Sequence, residues 1–148
     1  MSTKEKLLVS ACLLGANVKY NGKNNLINIS KLKEKYEFIP FCPEVEGGLP
    51  TPRPPSEIAS TTPLKIINSS NEDVTHYFTK GAKKALDICK DLNIKKALLK
   101  ENSPSCGKNF VYNGSFSKTL TKGQGVTATL LLKNFIKIYN EKESDKLL

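Results

Sequence analysis

Three short apolar runs in this chain each lead into a loop that carries a cysteine, and that pattern restricts the folds open to it. Cys12 follows Leu7-Leu8-Val9, and Cys42 follows Phe38-Ile39-Pro40-Phe41. Cys106 closes the stretch that begins at Ala97-Leu98-Leu99 and passes through Ser103-Pro104-Ser105. Brief apolar runs bounded by Gly and Pro read as buried strands. If these are parallel strands of one open sheet, their carboxyl ends share an edge, where α/β folds bind ligands. The three thiols then converge although they lie far apart in sequence. Three thiolates with no fourth partner point to a metal centre with one position left open for chemistry.

The rest of the chain supports an α/β reading. Residues 6–10 form a first strand, 30–36 a short helix, and 38–41 a second strand that Pro40 assigns to an edge or to the strand's end. Residues 43–55 are a Pro/Gly-dense loop, stiff because proline fixes φ. Leu64–Asn68 is a third strand or half of a hairpin. Val74, Phe78, Ala82, Ala85, Leu86, Cys89 and Leu92 recur at helical spacing, which predicts a long helix from 73 or 75 to 92. A strand at 95–100 follows. Asn113-Gly114 then predicts a tight hairpin over 110–116, and residues 126–139 a final helix, with a frayed tail after Glu141. Strands alternating with helices indicate one Rossmann-like, three-layer domain over all 148 residues, with a mostly parallel sheet.

Composition narrows function less. The net charge of +9 favours anionic partners, but the basic residues are nearly all lysine and are scattered. No basic helix or helix-turn-helix pattern is visible. No apolar run approaches the roughly 20 residues needed to span a membrane. Lys4 and Lys6 before Leu7-Leu8-Val9-Ser10-Ala11-Cys12 imitate a lipoprotein signal, but the apolar stretch is too short for one. Cytoplasmic residence is therefore expected, and in a reducing compartment four cysteines are metal ligands, catalytic groups or buried residues rather than disulfides.

Cys89 lies on the apolar stripe of the long helix and reads as a small hydrophobe. Cys12, Cys42 and Cys106 instead sit in loops beside Gly or Pro. No C-x-x-C pair exists, which argues against a zinc ribbon or a thioredoxin-type dithiol. Soft thiolates suit an iron–sulfur cluster or zinc.

The segments Val9-Ser10-Ala11-Cys12-Leu13-Leu14-Gly15, Cys42-Pro43-Glu44-Val45-Glu46-Gly47-Gly48-Leu49-Pro50-Thr51-Pro52-Arg53-Pro54-Pro55 and Ser103-Pro104-Ser105-Cys106-Gly107 are together similar to the thiouracil desulfidase family. Asp73-Val74-Thr75, Phe78, Gly81-Ala82 and Gly123-Gln124-Gly125-Val126-Thr127-Ala128 extend the likeness nearly end to end. The resemblance implies an α/β enzyme with a 4Fe–4S cluster held by three cysteines, which converts thiolated uracils to their oxygen analogues with release of sulfide. Cys12, Cys42 and Cys106 match the cluster ligands, Glu44 the catalytic glutamate, and Ser103 and Ser105 the substrate-site serine region. Longer relatives with a second domain act on transfer RNA. The resemblance therefore favours a free thiolated base, nucleoside or nucleotide here, with transfer RNA a lesser expectation. A cluster of this kind is expected to be oxygen-sensitive.

Three further features bear on the substrate. Arg53 is the chain's one arginine, set among prolines, and its planar fork either clamps a substrate phosphate or ties the loop to Glu44 or Glu57. Gly123 and Gly125, beside Lys122, open the last helix and read as a seat for a nucleotide phosphate. His76, near the start of the long helix, is left out of the site. Two rival functions share these residues: a non-catalytic metal protein whose loops the metal stabilises, and an RNA-binding module that uses the basic surface.

Overall fold

The computed structural model describes residues 4–148. Its centre is a four-stranded parallel sheet built from β1 (Glu5–Ser10), β2 (Tyr36–Phe41), β5 (Lys96–Leu99) and β8 (Lys137–Asn140), in the order β2-β1-β5-β8. β1 pairs with β2 from Glu5 opposite Tyr36 to Ser10 opposite Phe41. That register brings the ends of both strands, and so the loops holding Cys12 and Cys42, to one edge. β2 is an outer strand, which is where Pro40, lacking an N–H, is tolerated.

Alternation along the strands divides the core between two faces. Leu8, Ala97 and Leu99 face α3 (Thr75–Asp91) and α4 (Val126–Lys133), packing with Ala85, Leu86, Cys89, Ala128 and Leu131. Leu7, Val9 and Leu98 face the other way, against Leu13, Ile29, Leu32 of the short helix α1 (Leu32–Lys35), Tyr36 and Leu147. The result is the expected three-layer α/β arrangement, with Cys89 in the core. A fourth helix, the short α2 (Pro43–Glu46), stands inside the Pro/Gly-rich stretch and packs on α3. The crossing is close enough that a Cβ on Gly81 of α3 would lie 1.9 Å from the Pro43 carbonyl oxygen, so only glycine fits.

Leu64–Asn68 proves to be the second strand of a hairpin: β3 (Ser56–Thr61) pairs with β4 (Leu64–Asn68) antiparallel and covers the start of α3 through Ile58, Ile66, Val74 and Phe78. Three expectations are corrected. The last helix stops at Lys133; Phe135 takes φ +65°, Ile136 N–H bonds the Leu131 carbonyl at 3.1 Å, and the chain continues as β8. Leu132, Phe135, Ile136 and Tyr139 recur at helical spacing while Ile136 and Ile138 alternate, and pairing with β5 selects the strand. The tail does not fray. Asn140 and Glu143 form a capping box that starts a 3-10 helix (Glu141–Leu147), and the Tyr36 hydroxyl donates to the Leu147 carbonyl at 2.9 Å. Nor does the chain reverse at Asn113-Gly114: β6 (Phe110–Tyr112) pairs with β7 (Leu120–Lys122), leaving residues 113–119 as a long loop.

Because Leu147 is 1% exposed, Leu147→Ala is expected to destabilise the protein by about 2–4 kcal/mol in denaturant titration. A frayed tail would leave the midpoint unchanged.

Candidate functional site

One cavity of about 620 Å³ lies at the carboxyl ends of β1, β2 and β5, and Cys12, Cys42, Cys106, Glu44 and Ser103 all line it. Each cysteine arrives by a different local device. Cys12 lies in a 3-10 helix (Ala11–Leu14) that continues β1. Cys42 caps α2, its carbonyl accepting from Glu46 N–H at 2.9 Å, with Pro43 at the first helical position. Cys106 sits in a turn organised by the Ser103 hydroxyl, which accepts from the N–H groups of Ser105 and Cys106 at 3.0 and 3.1 Å. That turn rests on the start of α4. Val126 and Thr127 N–H groups bond the Pro104 and Ser105 carbonyls at 2.9 and 2.8 Å, and Gly125 N–H bonds the Gly107 carbonyl at 2.8 Å.

The thiols are all free, and none is poised as a nucleophile. Burial pushes each above the ordinary thiol value, and furthest for Cys106. Polar neighbours act in the opposite direction: the Asn25 amide donates to Cys12 Sγ at 3.4 Å, and the Ser10 hydroxyl to Cys106 Sγ at 3.7 Å. A reactive cysteine needs a depressed value, whereas soft thiols partly or fully buried around one cavity suit ligation of a cation that offsets the cost of ionising them.

Glu44 is held from two sides. Arg53 Nε donates to its Oε1 at 3.2 Å, and the Ser103 hydroxyl to its Oε2 at 3.4 Å. Burial raises the Glu44 carboxyl above its usual range despite these two partners. The remaining Arg53 donors go to the carbonyls of Val18 (2.9 Å) and Pro50 (3.2 Å) and to the Thr51 hydroxyl (3.2 Å).

The sequence matches the 2-thiouracil desulfurase family over residues 7–143. The chain belongs to that family. Among its relatives is the uncharacterized protein YbbK of Bacillus subtilis strain 168, 41% identical over 150 residues that cover 96% of this chain and 99% of YbbK. A solved structure described as the [4Fe-4S]-dependent thiouracil desulfidase TudS superposes with a TM-score of 0.90. It is 42% identical, and the match covers 97% of this chain and 95% of that one.

Within this desulfurase fold, the residues singled out from the sequence separate into two groups. Cys12, Cys42, Cys106, Glu44 and Ser103 meet in the cavity. Ser105 does not: it is fully buried and its hydroxyl pairs with that of Thr127 at 2.7 Å, so it holds the turn to α4 and a catalytic role is withdrawn. The phosphate seat at Gly123 and Gly125 is also overturned. The N–H groups there are taken by carbonyls of Asn109 and of the Cys106 turn, and a Cβ on Gly125 would lie 2.4 Å from the Ser105 carbonyl. That glycine admits the turn, not an anion. Arg53 also lines the cavity, but its side chain is 4% exposed and four of its five N–H donors bond Glu44, Pro50, Thr51 and Val18, the geometry of the structural tie.

Sequence reading passed over Ser10, Asn25 and Glu101. Ser10 stands two residues before Cys12, so the motif contains it, but nothing local indicates that its hydroxyl serves Cys106. Asn25 has no sequence signal at all. Glu101 is also cavity-lining, and it staples the Cys106 loop to β8. Its Oε1 accepts from Lys108 N–H at 2.6 Å, and its Oε2 from the Asn140 amide at 2.9 Å.

Two outcomes follow from these contacts. Arg53→Ala leaves a buried carboxylate without its partner and is expected to destabilise the fold by about 3–5 kcal/mol in denaturant titration. Burial alone would raise the Glu101 carboxyl, but bonds from the N–H groups of Asn109, Asn102 and Lys108 and from the Asn140 side chain outweigh it and hold the carboxyl below its usual value. A depressed folded-state value contributes stability above the unfolded value and loses it as pH falls through the folded one. Melting temperature is therefore expected to fall below about pH 4.3, and to fall less steeply in Glu101→Gln, whose stability is already reduced at neutral pH.

Proposed function

We propose that this protein is an iron–sulfur-dependent desulfidase that replaces the sulfur of a thiolated uracil with oxygen and releases sulfide. The observation that carries the reading is the convergence of Cys12, Cys42, Cys106 and Glu44 on one cavity, in a chain that belongs to the 2-thiouracil desulfurase family. The named activity and the cofactor of the structural neighbour support the same chemistry.

The donor set fits a 4Fe–4S cluster held by the three cysteines. Among the described residues, no three His, Cys, Asp or Glu side chains are grouped so as to hold a metal ion. A cluster takes each thiolate on a different iron, which matches three cysteines carried into one cavity by three separate loops. When bound, such a cluster supplies an iron without a protein ligand, a soft Lewis acid for the thiocarbonyl sulfur.

The chain's own groups supply the rest. Glu44 lines the cavity with Oε2 accepting from the Ser103 hydroxyl, and its carboxylate is placed to take a proton from the water that attacks the ring carbon. Arg53 keeps that carboxylate oriented through Oε1. The Ser103 hydroxyl, donating to Oε2 while it accepts from the Ser105 and Cys106 N–H groups, fixes the second carboxylate oxygen against the Cys106 turn. A carbon–oxygen bond replaces a carbon–sulfur bond, water supplies the oxygen and sulfide leaves, so no external electron donor is required. The cavity's size is that of a small-molecule site. Lys19 and Lys118 on its wall extend the proposed class from free bases to nucleosides and nucleotides, whose phosphate a lysine ammonium would meet. Oxygen sensitivity and residence in the reducing cytoplasm belong to the same proposal, since free thiols suit that compartment.

Anaerobic reconstitution followed by iron and sulfide analysis tests the cofactor. About four of each per chain are expected in the wild type, lost in Cys106→Ala; zinc alone would sink the proposal. Glu44→Gln is expected to retain iron while its turnover of 2- or 4-thiouracil falls about a hundredfold or more.

A further inference from the structure

The outer wall of the cavity is formed by part of the loop 113–119, which neither the cluster ligands nor Glu44 explains. Phe116 and Lys118 of this loop, with Tyr112 at its root, line the same cavity as the three cysteines. The loop is held in an unfavourable backbone shape. Phe116 and Lys118 adopt φ +55° and +61°, the left-handed region that a bulky side chain rarely enters. Gly114 sits at φ +91°, and a Cβ there would come within 2.8 Å of the Ile58 carbonyl oxygen.

What holds this shape is Glu57 on β3. Its side chain is largely buried, and its Oε1 accepts from both Gly114 N–H (2.9 Å) and Phe116 N–H (3.2 Å). The Asn113 N–H closes the loop on the Thr119 carbonyl at 2.9 Å. Strain of this kind persists only where surrounding contacts over-determine it. Here those contacts do not serve the core, because Phe116 remains 38% exposed on the cavity wall. A phenyl ring held half in solvent beside the site has a planar face to offer, and a pyrimidine ring has a planar face to meet it.

On the reading given under Proposed function, we propose that Phe116 is a specificity-determining contact that stacks on the substrate's pyrimidine ring, and that Glu57 is a positioning residue acting through the backbone of the loop. The tether explains why a carboxylate is buried at residue 57 opposite two backbone N–H groups rather than opposite a cation.

The test is steady-state kinetics with 2-thiouracil and 4-thiouracil on the reconstituted holoenzyme, alongside equilibrium dialysis of uracil. Phe116→Ala is expected to raise KM and weaken uracil binding about tenfold, with a smaller change in kcat, as loss of a base–aromatic stack does. Phe116→Tyr keeps the ring and should restore both. Glu57→Leu should reproduce the Phe116→Ala effect, Glu57→Gln should retain most of the wild-type KM through its remaining acceptor, and the double variant Glu57→Leu/Phe116→Ala should be no worse than either. Iron content and melting temperature of Phe116→Ala should match the wild type, so the result does not depend on whether Glu57→Leu folds. Unchanged KM and uracil affinity in Phe116→Ala, or additive losses in the double variant, would overturn the inference. A wild type that binds uracil but turns over neither thiouracil would instead refute the desulfidase reading, while the dialysis arm still judges the wall.

Discussion

The buried Glu44 carboxylate and its two partners join all three cysteine loops. Glu44 itself follows Cys42 on α2. Arg53 carries the connection through the Val18 carbonyl to the segment beyond Cys12, and Ser103 carries it to the turn that presents Cys106. Glu44 is thereby the mechanical link among the three cysteine-bearing loops. Arginine is suited to this position because its fork reaches Glu44, Val18, Pro50 and Thr51 at once, whereas a lysine ammonium is a single point.

Close backbone approach is the second device. Gly81 lets α2 settle onto α3, and Gly125 lets the Cys106 turn settle onto α4, each at a distance that any side chain would forbid. These contacts place Cys42 and Cys106 on rigid elements rather than on the free ends of loops. The start of α4 spends its N–H groups on that turn. A helix N-terminus that resembles an anion site in sequence is here an anchor for the loop that carries Cys106.

The third is the separation of thiol chemistry from thiol packing. Burial pushes the Cys89 thiol up to about 11 with no polar neighbour acting against it, as befits a core residue. Cys12 and Cys106 are also raised by burial but face donor groups from Asn25 and Ser10. Donors of that kind stabilise thiolates, and they appear around the cavity and not around Cys89.

What the sequence determined by itself was local or carried by motif. The parallel sheet with cysteines at its carboxyl edge, the edge position of β2, the α3 stripe, and Cys12, Cys42, Cys106, Glu44 and Ser103 were all legible, because alternation, helical periodicity and the Pro/Gly motif each act over a few residues. Tertiary structure alone decided the rest. β8 and the capped tail depend on pairing and burial against distant segments, since Ile136 belongs to a helical set with Leu132, Phe135 and Tyr139 and alternates with Ile138 until β5 is beside it. Ser105 faces Thr127 rather than the cavity, and the glycines before α4 are filled by the Cys106 turn. Glu57 grips a loop some 57 residues away. Direction of a side chain and the occupant of a backbone N–H are set by what packs against them, and no local pattern encodes that neighbour.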